Sequence, residues 1–334
     1  MILRVTVKRT RGTFVAAALA IVLGACESER AYVDVRIPAG ATLSQVVDSL
    51  EARDVIRTPT LFELYARLRG HDRRIQSGTY RLAQGSSWGA ALGPLTRGQV
   101  VAAVLTIPEG FRVAQMVPRI ASITGTPEEA VAAYLARPEL AEELGVPGPG
   151  LEGYLYPDTY HFASGTRIET VVRTLVDRYR QVWTAERVAR REALEMSERE
   201  LVTLASLVQA EARRNQEMPL ISGVYHRRLD LGWLLQADPT VLYALGGPRE
   251  RLLYAAIDSV ADDPYNTYTQ PGLPPGPIAA PGLDAIEAAL APQGDYLYFV
   301  ARPDGSHVFT RSLVEHNRAK AAAQRERETI DTSG

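Results

Sequence analysis

Glu211 closes the segment Leu201-Val-Thr-Leu-Ala-Ser-Leu-Val-Gln-Ala-Glu211 and is its only charged residue. The segment reads as a helix. At 3.6 residues per turn, Leu204, Leu207 and Val208 share the face of Glu211. A carboxylate on an apolar helix face is unfavourable unless it is paired or protonated. A carboxylic acid that keeps its proton near neutral pH is what general-acid catalysis requires. The alternative is a structural carboxylate neutralised by Arg213, Arg214 or Arg228, since ion pairs also perturb pKa values.

A second group of polar and aromatic residues falls in segments rich in proline and glycine: Glu152, Tyr154, Tyr156, Asp158, Tyr160, Gln236, Asp238, Asn266 and Tyr268. Aromatic rings flanked by amides and carboxylates suit a carbohydrate, whose faces are apolar and whose edges are hydroxyls. Loops held by proline and glycine can position such groups. Turn chemistry and aromatic core packing are the competing explanation. Asp238 also fits the cap of a helix beginning at Pro239, and Asp158 fits a turn before Thr159.

Other chemistries find less support. The five histidines show no HxxxH or HExxH spacing, and the single cysteine excludes a multi-thiolate zinc site or an internal disulfide. No metal or cofactor is expected. A net charge of −2 gives no overall basic field for nucleic acid. At 334 residues, 46% hydrophobic and 23% charged, the chain is globular and long enough for two domains.

Residues 1–26 differ from the rest. Arg4, Lys8, Arg9 and Arg11 precede the uncharged, apolar stretch Thr13 to Ala25, the charge pattern of an export signal. The apolar stretch is shorter than the roughly 20 residues that span a bilayer. Leu23-Gly-Ala-Cys26 resembles a bacterial lipobox, which makes Cys26 a lipidation candidate; an uncleaved membrane anchor is the alternative. Either arrangement puts the remainder outside the cytoplasm, tethered to a membrane.

The elements that must position these groups follow from pattern. Val35-Arg-Ile-Pro-Ala-Gly-Ala-Thr-Leu-Ser-Gln-Val-Val47 echoes Leu105-Thr-Ile-Pro-Glu-Gly-Phe-Arg-Val-Ala-Gln-Met-Val117 at an offset of 70. Each copy reads as strand, Pro-x-Gly turn and amphipathic helix, with Thr42 or Ser44 capping the first. Helices are expected over 58–69, 127–144 and 168–194, with a strand over 77–82 and a break over 145–150. Ser197 and Glu200 form a capping box that opens the Glu211 helix. Pro219 starts the next helix, and 284–290 is another. Residues 296–301 and 307–310 read as a hairpin around Pro303-Asp-Gly305. The tail after Arg318 is polar and expected to fray.

In this order the motifs carry a resemblance. Glu152-Gly-Tyr-Leu-Tyr-Pro-Asp-Thr-Tyr160, Leu204-Ala-Ser-Leu-Val-Gln-Ala-Glu211, Gly223-Val-Tyr-His-Arg-Arg-Leu229 and Leu235-Gln-Ala-Asp-Pro-Thr240 come first. Tyr265-Asn-Thr-Tyr268, Gly272-Leu-Pro-Pro-Gly-Pro-Ile278, Pro281-Gly282 and Tyr296-Leu-Tyr-Phe-Val300 follow. Together they resemble the endolytic murein transglycosylase (YceG-like) family from about Val35 to Asn317.

The resemblance implies an α+β fold: a small LysM-like subdomain over 31–104, then a mixed α/β catalytic domain over 105–318 with a loop-rich groove, and a polar tail over 319–334. It implies cleavage between N-acetylmuramic acid and N-acetylglucosamine in peptidoglycan glycan strands, leaving a 1,6-anhydro end, with Glu211 as the catalytic residue. It also implies inner-membrane anchoring, a periplasmic or extracytoplasmic catalytic part, and proximity to peptidoglycan synthases. The family often has an acid and a base just before its catalytic glutamate; here those positions hold Gln209 and Ala210.

Ordinary glycosidases use two carboxyl groups, about 5–5.5 or about 6.5–9.5 Å apart. A lytic transglycosylase needs one, because the C6 hydroxyl of the sugar attacks. Glu211 is then expected to act first as acid and then as base. Gln236, Asp238, Asn266 and Tyr268, with Glu152 and Asp158, are the substrate-contact candidates. Two rival functions are a hydrolytic muramidase with Asp238 as second carboxylate and a non-catalytic peptidoglycan-binding lipoprotein.

Overall fold

A computed structural model of the chain describes residues 31–247, 249 and 252–333. The expected export segment and Cys26 lie outside these residues. The fold is α+β, with three separate two-stranded antiparallel sheets among many helices.

The first unit runs β1 (Tyr32–Ile37), α1 (Leu43–Glu51), α2 (Pro59–Leu68), β2 (Gly78–Ala83) and α3 (Trp88–Arg97). The second runs β3 (Ala102–Thr106), α4 (Val113–Thr124), α5 (Glu128–Leu135), α6 (Leu140–Glu143) and β4 (Thr159–Ala163). β1 pairs with β2 and β3 with β4. The offset-70 echo therefore opens a repeated unit in which an antiparallel strand pair encloses helices, two in the first copy and three in the second.

The copies agree in detail. Gly40 and Gly110 both take φ +74°, a left-handed turn that favours glycine. Gln45 and Gln115 each accept the backbone N–H three residues before them, both at 2.9 Å. Thr42 is the cap of the first helix, as expected. The repeat also extends further than the sequence reading found. Thr79-Tyr-Arg-Leu-Ala-Gln-Gly-Ser86 matches Thr159-Tyr-His-Phe-Ala-Ser-Gly-Thr166, now at an offset of 80. Tyr80 and Tyr160 each donate to the carbonyl four residues earlier, at 2.7 and 2.6 Å. Val35 lies opposite Tyr80 and Leu105 opposite Tyr160. The segment between the two halves is longer in the second copy, which hid this match from a fixed-offset comparison.

The first unit has its own core, built on Val35, Val47, Leu50, Phe62, Tyr80 and Leu95. Most of the other buried apolar residues form one larger core. β3 spans the 104/105 position expected to divide the domains.

Several expected helices are subdivided. The 127–144 stretch breaks around Pro138 into α5 and α6. The 168–194 stretch becomes α7 (Ile168–Val182) and α8 (Ala185–Ala193), because the Thr184 hydroxyl caps a new helix. Then follow α9 (Glu198–Glu211), α10 (Met218–Asp230), α11 (Asp238–Ala244), α12 (Tyr254–Asp258) and α13 (Leu283–Leu290). The Ser197–Glu200 capping box opens α9 as expected.

α9 is the centre of the larger core and packs against α10, α11 and α13. Every residue from Leu201 to Val208 is buried, so the helix is enclosed on all sides rather than along one stripe. Its buried polar side chains tie down a loop: Ser206 Oγ accepts from Ile278 N–H at 3.0 Å, and Gln209 Oε1 accepts from Gly282 N–H at 2.9 Å.

The β5 (Tyr298–Ala301) and β6 (His307–Thr310) hairpin forms as expected. The expectation of a frayed tail is overturned. Helix α14 (Leu313–Ser333) packs on the hairpin. Ala323 is buried there, and Arg302 makes two bonds to Glu326, at 3.1 and 3.0 Å. These contacts give a largely polar helix the tertiary support it lacks alone.

Candidate active site

Glu211 is the last residue of α9. It lines a groove of about 430 Å³ together with Arg228, Gln236, Asp238, Tyr268, His307 and Lys320, among others. Burial pushes its carboxyl up to about 7, helped by the negative charge of Asp238. The C-terminal end of a helix dipole disfavours a carboxylate in the same direction. Two effects oppose this: a hydrogen bond from Tyr225 and the positive charge of Arg228.

Tyr225 and Arg228 lie three residues apart on one face of α10. Tyr225 Oη donates to Glu211 Oε1 at 3.1 Å. Arg228 is buried, with Nε on the Leu297 carbonyl at 2.9 Å and Nη1 on the Leu235 carbonyl at 2.6 Å. It thus supplies charge without forming an ion pair with Glu211. Arg214 pairs instead with Asp304 at 3.2 Å, and Arg213 is exposed. The close approach of α10 depends on Gly223, where a Cβ would collide with the Gln293 carbonyl oxygen.

Two loops bring the other groove residues together. Gln236 N–H donates to the Thr267 carbonyl at 3.0 Å, and Ala237 N–H donates to Thr267 Oγ1 at 3.0 Å. Gln236 takes φ +51°, a left-handed conformation uncommon outside glycine. Asp238 Oδ1 accepts from Tyr268 Oη at 2.5 Å. Asp238 is the first residue of α11 and its side chain makes no cap, so the capping alternative does not hold.

Three expected substrate contacts do not line the groove. Asn266 is wholly buried; Nδ2 donates to the carbonyls of Ile257 and Val260, both at 3.0 Å, and Oδ1 accepts from Tyr268 N–H at 3.0 Å. Its amide is used up in shaping the loop. Asp158 pairs with Arg178 at 2.7 Å and accepts from Thr159 N–H at 2.7 Å, the turn chemistry weighed as its alternative. Glu152 accepts from Val113 N–H at the start of α4, at 3.0 Å. Burial raises the Glu152 carboxyl to about 7, although it is remote from the groove lining.

Other groove residues escaped the sequence reading. Tyr225, Phe299 and His307 form an edge-on row, with centroids 6.0 and 5.4 Å apart. Glu217 anchors His307, with Oε2 2.7 Å from Nδ1 and Oε1 accepting the backbone N–H at 3.1 Å. His316, Lys320, Gln324 and Arg327 of α14 form part of the wall. The Tyr225/Arg228 spacing was a usable signal; nothing local marked the others.

A second, wider cleft of about 1020 Å³ lies on the first unit, lined by Asp54, Arg57, Tyr65, Gln84 and Trp88.

The geometry agrees with the comparisons. The model of the YceG-like family matches residues 35–322. An endolytic murein transglycosylase of Bacillus subtilis is 34% identical over 88% of this chain and 85% of its own length. One from Streptococcus pneumoniae is 30% identical over 87% of this chain, which spans 58% of that longer protein. A crystal structure of a YceG-like protein from Listeria monocytogenes superposes with a TM-score of 0.59 at 31% identity, covering 86% of this chain and 99% of that one. The motifs, the fold and the match over most of its length show that this chain belongs to the YceG-like family.

Proposed function

We propose that the chain is a lytic transglycosylase that cuts inside murein glycan strands, with Glu211 as its acid and then its base. The observation that carries this reading is that the Glu211 carboxyl, raised to about 7, lines a solvent-open groove. The murein transglycosylase activity for which its relatives are named supports the substrate class.

Protonated Glu211 gives its proton to the glycosidic oxygen as the bond to the muramic acid C1 breaks. The C6 hydroxyl of the same sugar attacks C1, and the Glu211 carboxylate takes the hydroxyl proton as the anhydro ring closes. Proton and atom counts balance without water. Tyr225 holds the carboxyl in place, while Gln236, Asp238 and Tyr268 offer polar groups for sugar hydroxyls and N-acetyl groups.

The domain reading follows: residues 31–104 form a LysM-like glycan-binding unit, residues 105–318 act on the strand, and the segment through Cys26 tethers the enzyme outside the cytoplasm near peptidoglycan synthases. Among the described residues no helix is long and apolar enough to cross a membrane.

Asp238 gives one rival a concrete basis, since a second carboxylate beside Glu211 could activate water. Mass spectrometry of digested strands decides between them, because an anhydro end lacks one water relative to a reducing end. Glu211→Gln should lose about 10²–10⁴-fold in rate while remaining folded. Reducing ends from the wild type, or undiminished anhydro product from Glu211→Gln, would sink the proposal.

A further inference from the structure

Helix α14 turns a cationic face to the groove. His316, Lys320, Gln324 and Arg327 recur at helical spacing and all line it, with Ala323 buried at the same level. The same groove holds Glu211 and Asp238. Lys320 and Arg327 are exposed. Among the described residues, neither is ion-paired with a carboxylate, and Arg327 donates from Nη2 to the Ala301 carbonyl at 3.1 Å. The helix is held in place by the two Arg302–Glu326 bonds, so the charges are presented from a fixed position. After burial, the positive charges of Lys320 and Arg228 also push His316 down.

A neutral sugar ring has no need of this wall. The strand does carry carboxylates: those of its peptide stems, or the lactyl carboxylate of a muramic acid whose peptide has been removed. The matched family region ends at residue 322, so Gln324 and Arg327 lie beyond it.

We propose that Lys320 and Arg327 bind a carboxylate carried by the glycan strand, setting which strands enter the groove. This rests on the murein reading above. Two solvent-exposed charge contacts should together give about tenfold in affinity, fading as salt shortens the Debye length.

The test is binding, read in the Glu211→Gln protein so that turnover does not intervene. Three probes are needed: peptide-bearing strands, amidase-stripped strands with free lactyl carboxylates, and stripped strands whose lactyl groups are converted to methylamides. Stripped strands binding about tenfold tighter than methylamide strands identify the lactyl group. A preference confined to peptide-bearing strands identifies the stems. Adding Lys320→Ala with Arg327→Ala should abolish whichever preference is seen. Equal binding of all three strands, or a preference that survives the double substitution, overturns the inference. A wild-type protein that binds with this preference but releases no anhydro fragments would instead count against the proposed activity.

Discussion

Tyr225 Oη donates to Glu211 Oε1 at 3.1 Å from the neighbouring helix, joining the end of α9 to the middle of α10. The bond favours the charged carboxyl, while burial and Asp238 favour the protonated one. The acid is thus held between opposing influences that can be removed one at a time.

If protonated Glu211 starts the reaction, kcat/KM should fall as pH rises above about 7. Tyr225→Phe removes an influence that lowers the pKa, so this alkaline limb should move to higher pH. The rate below the limb should drop about tenfold or less, the worth of one hydrogen bond. A pH–rate profile with an unmoved limb would exclude the assigned role.

Asp238→Asn should move the same limb the opposite way, to lower pH, because the carboxylate charge that raises Glu211 is gone. The opposed directions separate electrostatic tuning from general damage, which would shift both variants alike.

The raised carboxyl also has a stability consequence. Burial lifts it from an ordinary value of 4.5 to about 7, so its contribution is fully present below about 4.5 and lost as pH rises through about 7. Glu211→Gln should therefore be more stable than the wild type at pH 8, by about 1–3 kcal/mol, and gain nothing at pH 4. Thermal melts at both values test this. Glu152→Gln should show the same pH-dependent stabilisation, since burial raises that carboxyl in the same way, yet leave the alkaline limb of the rate profile where it is.

Asn266→Ala should behave as a structural lesion. It removes the side-chain bonds to the Ile257 and Val260 carbonyls and to the Tyr268 N–H. The expected loss is about 2–4 kcal/mol, with activity falling because Gln236 and Tyr268 lose their places. A weakened KM at unchanged melting temperature would restore Asn266 as a sugar ligand.

The sequence by itself determined most of the local elements and singled out the carboxyl proposed as the acid. The Pro-x-Gly turns, the capping box at Ser197 and the proline opening α10 are signals written within a few residues. Glu211 was legible because one charge closes the otherwise uncharged stretch from Leu201 to Ala210. Tertiary structure decided what surrounds that acid. Asn266 and Asp238 have similar side chains and both sit in loops, yet one is spent on backbone carbonyls and the other faces the groove. Composition cannot distinguish them, because the distinction depends on which carbonyls folding brings within reach. The same holds for α14: its residues read as a polar tail, and only packing against a hairpin formed by the preceding segment makes it a wall of the groove. Helical propensity acts over a few residues, whereas the groove is assembled by contacts between residues far apart in the chain, which leave no local trace.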